Sequence, residues 1–288
     1  MPTVLLLVDY SSLLYRAFHS MPESVPMHGV HGFISMLARL VTDRKPTALG
    51  IGVDDDWRPA FRVEALPSYK AHRVAETEDE ADPVAPQEAL GRQVLEALGV
   101  AVVGAEGFEA EDVIATLAAR ARERVEIVSG DRDLFALVRD PDVRVLYPVR
   151  GVSTLVEVDE AEIQRRYGIP GRAYGDYALL RGDPSDGLPG VPGIGEKTAA
   201  NLIAAHGSLA AVIACRTLPP AVARRLGAAR PYLEAAQRVV LPVTEVPLPA
   251  VDLSLPETPR DPQALARLGD EYSLAGPIDR LRRALGMG

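Results

Sequence analysis

Thr3-Val4-Leu5-Leu6-Leu7-Val8-Asp9 is an unbroken apolar run closed by a carboxylate. No polar residue alternates within it, so it reads as a strand covered on both faces, the pattern of a parallel sheet rather than of a half-exposed hairpin. Similar runs occur at 47–53, 100–103, 125–128 and 143–147, and helical spacing fills the intervals at 10–20, 30–43, 84–98, 109–122 and 132–138. That alternation predicts an α/β fold with a mainly parallel sheet and helices on both of its faces.

Open sheets of this kind build their sites in the crevice beyond the carboxyl ends of the strands. Carboxylates stand at those ends. Asp9 closes the first run, Asp54 and Asp55 follow the second, and Glu109, Glu111 and Asp112 open the helix after the third. Asp131 and Asp133 follow the fourth in Ser129-Gly-Asp-Arg-Asp-Leu134, and Asp183 and Asp186 stand in a later turn. A single Asp at a strand end reads ordinarily as a helix N-cap, and acidic residues in a first turn oppose the helix dipole. Capping does not require pairs such as Asp131/Asp133, nor three carboxylates within four residues, which repel one another unless a cation or a raised pKa relieves them. The set lacks a His-rich cluster, so its oxygens suit magnesium or manganese better than zinc. Two such ions about 4 Å apart serve phosphodiester hydrolysis by stabilising attacking and leaving oxygens.

At 288 residues and 47% hydrophobic content, the chain can bury a full core as one large domain or two closely joined ones. Cys215 is the only cysteine, which excludes a disulfide framework and a thiolate metal site and fits a reducing, intracellular setting. The first residues lack the basic region and the length of a signal peptide, and no later apolar stretch approaches a membrane span. A cytoplasmic protein with no membrane partner is expected. The net charge of −9 argues against a nucleic-acid partner only as an average, because the clustered carboxylates account for the excess. Basic residues gather locally at Lys70/His72/Arg73, Arg120/Arg122/Arg124, Arg216/Arg224/Arg225/Arg230 and Arg280/Arg282/Arg283.

Residues 55–83 break the strand–helix rhythm with Arg, Lys, Tyr and Pro followed by an acidic run, Glu76 to Asp82, and read as an insertion over the sheet. Within it lies Tyr69-Lys70-Ala-His-Arg73; Arg16 sits on the first helix. Cations there could hold a scissile phosphate if the insertion closes over the carboxylates. Gly190-Val-Pro-Gly193-Ile-Gly195-Glu-Lys197-Thr198-Ala precedes an apolar helical stretch. Its glycines let a backbone approach closely, the helix start presents free amides to a phosphate, and Lys197 adds charge. The Walker spacing is absent, so the segment reads as a hairpin for a DNA backbone. From about 159 the pattern is helical, and 242–262, with six prolines, is expected to be an extended strap leading to the last helix.

Together these residues resemble the 5′-nuclease superfamily, which comprises flap endonucleases and the 5′→3′ exonuclease domain of bacterial DNA polymerase I. The matching pieces, in family order over about residues 4–215, are Val8-Asp9 with Tyr15-Arg16-Ala-Phe18, Phe61-Arg62 with Tyr69-Lys70-Ala-His-Arg73, and Phe108-Glu-Ala-Glu-Asp112. Gly130-Asp-Arg-Asp-Leu134, Gly182-Asp-Pro-Ser-Asp186-Gly-Leu-Pro-Gly190 and Gly193-Ile-Gly-Glu-Lys-Thr-Ala199 complete the set. The resemblance implies a PIN-like core at 1–180 with a helical arch at about 55–83. It also implies a helix–three-turn–helix subdomain and a C-terminal helical region at 181–288, with Gly193, Gly195, Lys197 and Thr198 gripping duplex DNA through a potassium ion. It implies one metal site from Asp9, Asp54 or Asp55, Glu109, Glu111 and Asp112, and a second from Asp131, Asp133, Asp183 and Asp186. Lys70 and Arg73 match arch residues that position the scissile phosphate, Tyr69 one that stacks on an unpaired base, and Arg16 a basic residue near the site.

Three departures stand out. The triple Asp54-Asp55-Asp56 leaves the second ligand ambiguous: strand alignment favours Asp54, and counting back from Phe61 favours Asp55. Glu111 replaces the Asp usual in polymerase-type relatives, and the arch after Arg73 is unusually acidic. The expected protein is a free-standing, monomeric bacterial form with a complete second metal site. Its expected activity is Mg2+- or Mn2+-dependent cleavage of nicked or 5′-flapped DNA in primer removal and repair; whether an RNA–DNA hybrid also serves as partner is left open by the sequence. Two rivals are a DNA-binding protein with decayed catalysis and a small-molecule phosphohydrolase. The first needs missing ligands; the second leaves the Gly193–Thr198 hairpin unexplained.

Overall fold

The computed structural model describes residues 3–73 and 82–287. The acidic run of the expected arch lies, apart from Asp82, outside the described residues. The first half of the chain runs β1 (Val4–Asp9), α1 (Tyr10–Ser20), α2 (His28–Arg44), β2 (Ala48–Gly52), α3 (Ala60–Ala65), α4 (Ala85–Leu98), β3 (Ala101–Val103), α5 (Ala110–Arg120) and β4 (Arg124–Val128). A 3-10 turn at Asp133–Leu137 precedes β5 (Val143–Arg150), β6 (Thr154–Val158), α6 (Glu160–Tyr167) and α7 (Tyr174–Arg181). The chain closes with α8 (Glu196–His206), α9 (Leu209–Ala214), α10 (Pro220–Ala228), α11 (Arg230–Val240), α12 (Pro262–Glu271) and α13 (Ala275–Ala284).

The sheet order is β3-β2-β1-β4-β5-β6, parallel except where β6 joins β5. Alternate residues of β1 serve opposite faces: Leu5 and Leu7 enter one core with α5 and α7, while Leu6 and Val8 enter another with α1, α2 and α4. Both faces are therefore buried, which is why the run carries no polar alternation. The edge strand β6 was not expected. Thr154-Leu-Val-Glu-Val is only partly buried, as a strand at a sheet margin is. The helix expected at 132–138 is the 3-10 turn Asp133–Leu137.

The Pro-rich strap is extended, as expected, and is held by side chains of α5. Thr116 Oγ1 donates to Val243 O (3.1 Å) and accepts from Val246 N (3.0 Å); Arg120 donates to Val246 O (2.8 Å) and Leu248 O (3.2 Å). Arg120 thus serves the fold rather than a phosphate-binding face. The strap reaches the sheet where Leu49 N donates to Leu253 O (2.8 Å) and leads to two helices, α12 and α13, not one. Leu265, Leu268, Ile278 and Leu281 of these helices join the core with α1, α2 and α4. The final helices therefore pack on the N-terminal core, so a cut at residue 180 does not separate the packing units.

Candidate active site

β1 lies at the point where the strand order reverses, between β2 and β4, with Asp9 opposite Gly52 and Val8 opposite Val128. Asp9 ends the strand and caps α1, accepting from Ser12 N (3.1 Å); its other oxygen accepts from Ser129 Oγ (2.6 Å). Burial, and then the charge of Asp54, push the Asp9 carboxyl up to about 7. Asp54 accepts from Ser11 Oγ (2.5 Å) and from Ala110 N (2.8 Å) at the start of α5. Asp55 turns outward to Arg92 Nη1 (3.3 Å) and is more exposed. Of the two neighbouring carboxylates, Asp54 is the one beside Asp9; both line the cleft.

The start of α5 is built on a buried guanidinium. Arg62, fully buried, reaches Glu109 Oε2 (2.5 Å), Glu111 Oε1 (2.6 Å) and Asp112 Oδ1 (2.7 Å). Glu109 also accepts from Lys70 Nζ (2.6 Å) and Tyr69 Oη (2.8 Å). Asp112 departs from its expected part as a metal ligand. It is fully buried, folds back to the Glu109 amide (3.3 Å) in a capping box, and accepts from Val243 N (2.7 Å). At the third helical position a carboxylate turns toward the N-cap amide, so here ordinary capping wins. Tyr69 departs too: the ring is 3% exposed beneath the cleft and orients Glu109, leaving no face for an unpaired base.

After β4, Asp131 N donates to Ser129 Oγ (2.9 Å) and Asp133 N to Asp131 Oδ1 (2.8 Å), folding both carboxylates toward Glu111. Glu111, Asp131 and Asp133 each offer an oxygen within 4.8 Å of the others. Burial first, and then the neighbouring negative charges, raise all three carboxyls, Glu111 and Asp133 well above the usual range. Such a group holds its charges cheaply only around a cation, and its donors are all hard oxygens, which fits a divalent metal. Asp183 and Asp186 face the same cleft from the turn after α7. Asp183 accepts from Ser185 N (2.9 Å) and Arg181 Nη2 (3.0 Å), and Asp186 from Arg73 Nη2 (2.9 Å). The cleft encloses about 1120 Å3.

The base of the insertion is latched to that turn. Lys70 N donates to Asp186 O (3.0 Å), Ser68 Oγ to Gly187 O (2.9 Å) and Arg73 Nη2 to Ser185 O (3.0 Å). Gly187 has φ +72°, and a β-carbon there would stand 2.1 Å from Ser68 O. Lys70 and Arg73 line the cleft; Arg16 does not, its Nη2 packing against the Gly130 turn. In the glycine hairpin, Gly193 has φ +80° and Gly195 caps α8 with no side chain, leaving the first amides open. Gly195 and Glu196 reach the cleft, while Lys197 is exposed and Thr198 half-buried beyond it. Among the residues the sequence reading did not single out for the site are Arg62, Ser129 and Arg181, which pairs with Asp183 and lies 3.7 Å from Glu196. Arg62 stood in the Phe61-Arg62 motif, but nothing in its sequence neighbourhood marked it as buried.

A mainly parallel sheet with hard carboxylates gathered at its switch point, and a glycine-capped helix opening beside them, defines the PIN-like class of α/β nucleases. Within that class the chain belongs to the 5′-3′ exonuclease family: residues 4–168 match the family's N-terminal resolvase-like domain and 169–262 its C-terminal SAM fold. It is 49% identical over 299 residues to the 5′-3′ exonuclease of Streptomyces coelicolor, covering 97% of this chain and 99% of that one. It is 43% identical over 316 residues to the 5′-3′ exonuclease of Mycobacterium tuberculosis, covering 99% and 98%. The bacteriophage T5 flap endonuclease, solved with DNA and metal ions, shares the fold at a TM-score of 0.67 and 18% identity over 98% of this chain and 99% of that one. The catalytic core of Rad2 with a DNA substrate does so at 0.61 and 18%, over 99% and 92%. No helix among the described residues is long and apolar enough to cross a membrane.

Proposed function

We propose that this structure-specific 5′ nuclease cuts nicked or 5′-flapped duplex DNA, and RNA–DNA hybrids, as a cytoplasmic monomer in primer removal and repair. The observation that carries the reading is the convergence of Asp9, Asp54, Glu109, Glu111, Asp131, Asp133, Asp183 and Asp186 on one cleft. Glu111 is shared between two cation sites: with Asp9 and Asp54 it would hold one, where Lys70 keeps Glu109 back until substrate arrives, and it also meets Asp131 and Asp133 of the other. Asp131, Asp133, Asp183 and Asp186 form that second site. Magnesium or manganese, when bound, supplies water activation and stabilisation of the leaving 3′ oxygen.

The residues of the chain bind and orient. Lys70 and Arg73 stand on the cleft wall, each already paired with a site carboxylate, and can transfer that pairing to a scissile phosphate once cations neutralise the carboxylates. The Gly193–Thr198 hairpin offers open amides and the Lys197 charge to the duplex backbone, and a potassium ion held by this hairpin would add positive charge facing the phosphate.

Purified protein is to be compared in Mg2+, Mn2+ and EDTA on a 5′-labelled flap duplex, a nicked duplex and single-stranded DNA. Metal-dependent release of a short 5′ product from the flap, with little attack on single strands, supports the proposal. Tight flap binding with no product under either metal rejects it in favour of a DNA-binding protein.

A further inference from the structure

Trp57 is the only tryptophan of the chain, and it stands 41% exposed on the cleft wall beside Asp54, Asp55 and Lys70. A single exposed aromatic residue ordinarily needs no explanation. This one sits on a loop fixed on both sides. Val53 N donates to Val103 O (3.0 Å), Asp56 N to Phe108 O (3.3 Å) and Arg58 N to Asp56 Oδ1 (3.1 Å). The Arg58 guanidinium holds Tyr69 O (2.6 Å) and Pro67 O (3.0 Å), and Trp57 O itself accepts from Lys70 Nζ (3.3 Å). Trp57 thus stands exposed at the cleft, on a pinned backbone joined directly to Lys70.

A nucleotide entering this cleft meets a surplus of carboxylates, and its base is the part that negative charge does not repel. An indole face stacks on any base, because every base has a π-face, and a backbone already pinned has little freedom left to lose in doing so. Building on the nuclease reading above, we propose that Trp57 stacks on a base flanking the scissile phosphate and so fixes where the strand is cut. Tyr69 lies beneath the cleft and cannot take this part.

Because Trp57 is the sole tryptophan, its emission reports the contact directly. The intact protein is titrated in Ca2+ with a labelled 5′-flap duplex, following anisotropy of the label and tryptophan emission together. Emission should change in step with binding. Trp57→Ala should lower single-turnover cleavage in Mg2+ about 5- to 100-fold, and Trp57→Phe should recover most of it. On flaps lacking the base on either side of the cut, the gap between parent and Trp57→Ala should close on one of them. Flap binding with unchanged emission, or an alanine penalty undiminished on both abasic flaps, overturns the proposal while leaving the nuclease reading intact. Failure to bind or cut any flap overturns both. Should Trp57→Ala not fold, the emission of the parent protein still decides.

Discussion

Asp9→Asn should stabilise the metal-free protein while destroying its activity. The buried Asp9 carboxyl is pushed up to about 7 from an ordinary 3.8. Between those values the folded protein keeps a proton that the unfolded chain has released, so stability falls as pH rises through about 4 to 7. Above that window the cost is fully expressed; about 3 units at 1.36 kcal/mol each give roughly 4 kcal/mol, an upper bound that relaxation around Asp54 lowers to about 2–4. The amide removes the charge but keeps an acceptor for Ser12 N and can donate to Ser129 Oγ. In EDTA at pH 8 the variant should therefore melt about 4–16 °C above the parent, at roughly 2–4 °C per kcal/mol for a chain of this size. The gap should shrink to less than half by pH 5, where the unfolded Asp is itself closer to its own pKa. Saturating Mg2+ should narrow it at pH 8, since the cation stabilises the parent by mass action. Thermal melts of both proteins from pH 5 to 8.5, with and without metal, measure all of this. A variant that melts at or below the parent at pH 8 in EDTA, or a gap that does not vary with pH, refutes the reasoning.

Arg62→Met leaves Glu109, Glu111 and Asp112 facing one another and should cost about 3–5 kcal/mol in metal-free denaturant unfolding, less with Mg2+ present; an unchanged midpoint contradicts the assigned burial of the guanidinium. Gly187→Ala forces a β-carbon into Ser68 O at a positive φ and should cost about 1–3 kcal/mol. It should also slow single-turnover cleavage more than it weakens flap binding, because it unlatches Lys70 and Arg73; parallel losses in both assays contradict that. Lys197→Ala should weaken duplex binding and reduce the slope of log Kd against log salt by about 1, and an unchanged slope removes Lys197 from the phosphate contacts.

The central sheet was legible because a parallel strand is largely apolar on both faces: β1, β2 and β3 stand out as apolar runs, and the apolar stretches of β4 and β5 are interrupted only by Glu126 and Arg144. The strand β6 was missed because Thr154-Leu-Val-Glu-Val is short and neither continuously apolar nor strictly alternating, so its sequence resembles a loop. Within the site, the strand-end aspartates were readable since strand ends and helix starts are local features. Asp112 was not, because a capping carboxylate and a metal-binding one are the same residue type in the same turn. Which way each points depends on Arg62 and Val243, 50 and 131 residues away. The same limit applies to Tyr69, whose motif position is local but whose burial depends on Glu109. The amphipathic spacing of Leu265, Leu268, Ile278 and Leu281 could be read as two buried helix faces, but their partners on α1, α2 and α4 lie near the other end of the chain.

The most direct test is single-turnover cleavage of a 5′-labelled flap duplex in Mg2+ by the parent protein and by Asp131→Asn, with flap affinity of both measured in Ca2+. The account predicts that the parent releases a short 5′ product, whereas the variant binds equally well and cuts at least about 100-fold more slowly, the loss expected when charge stabilisation of the transition state is removed. Turnover by Asp131→Asn at the rate of the parent would contradict it.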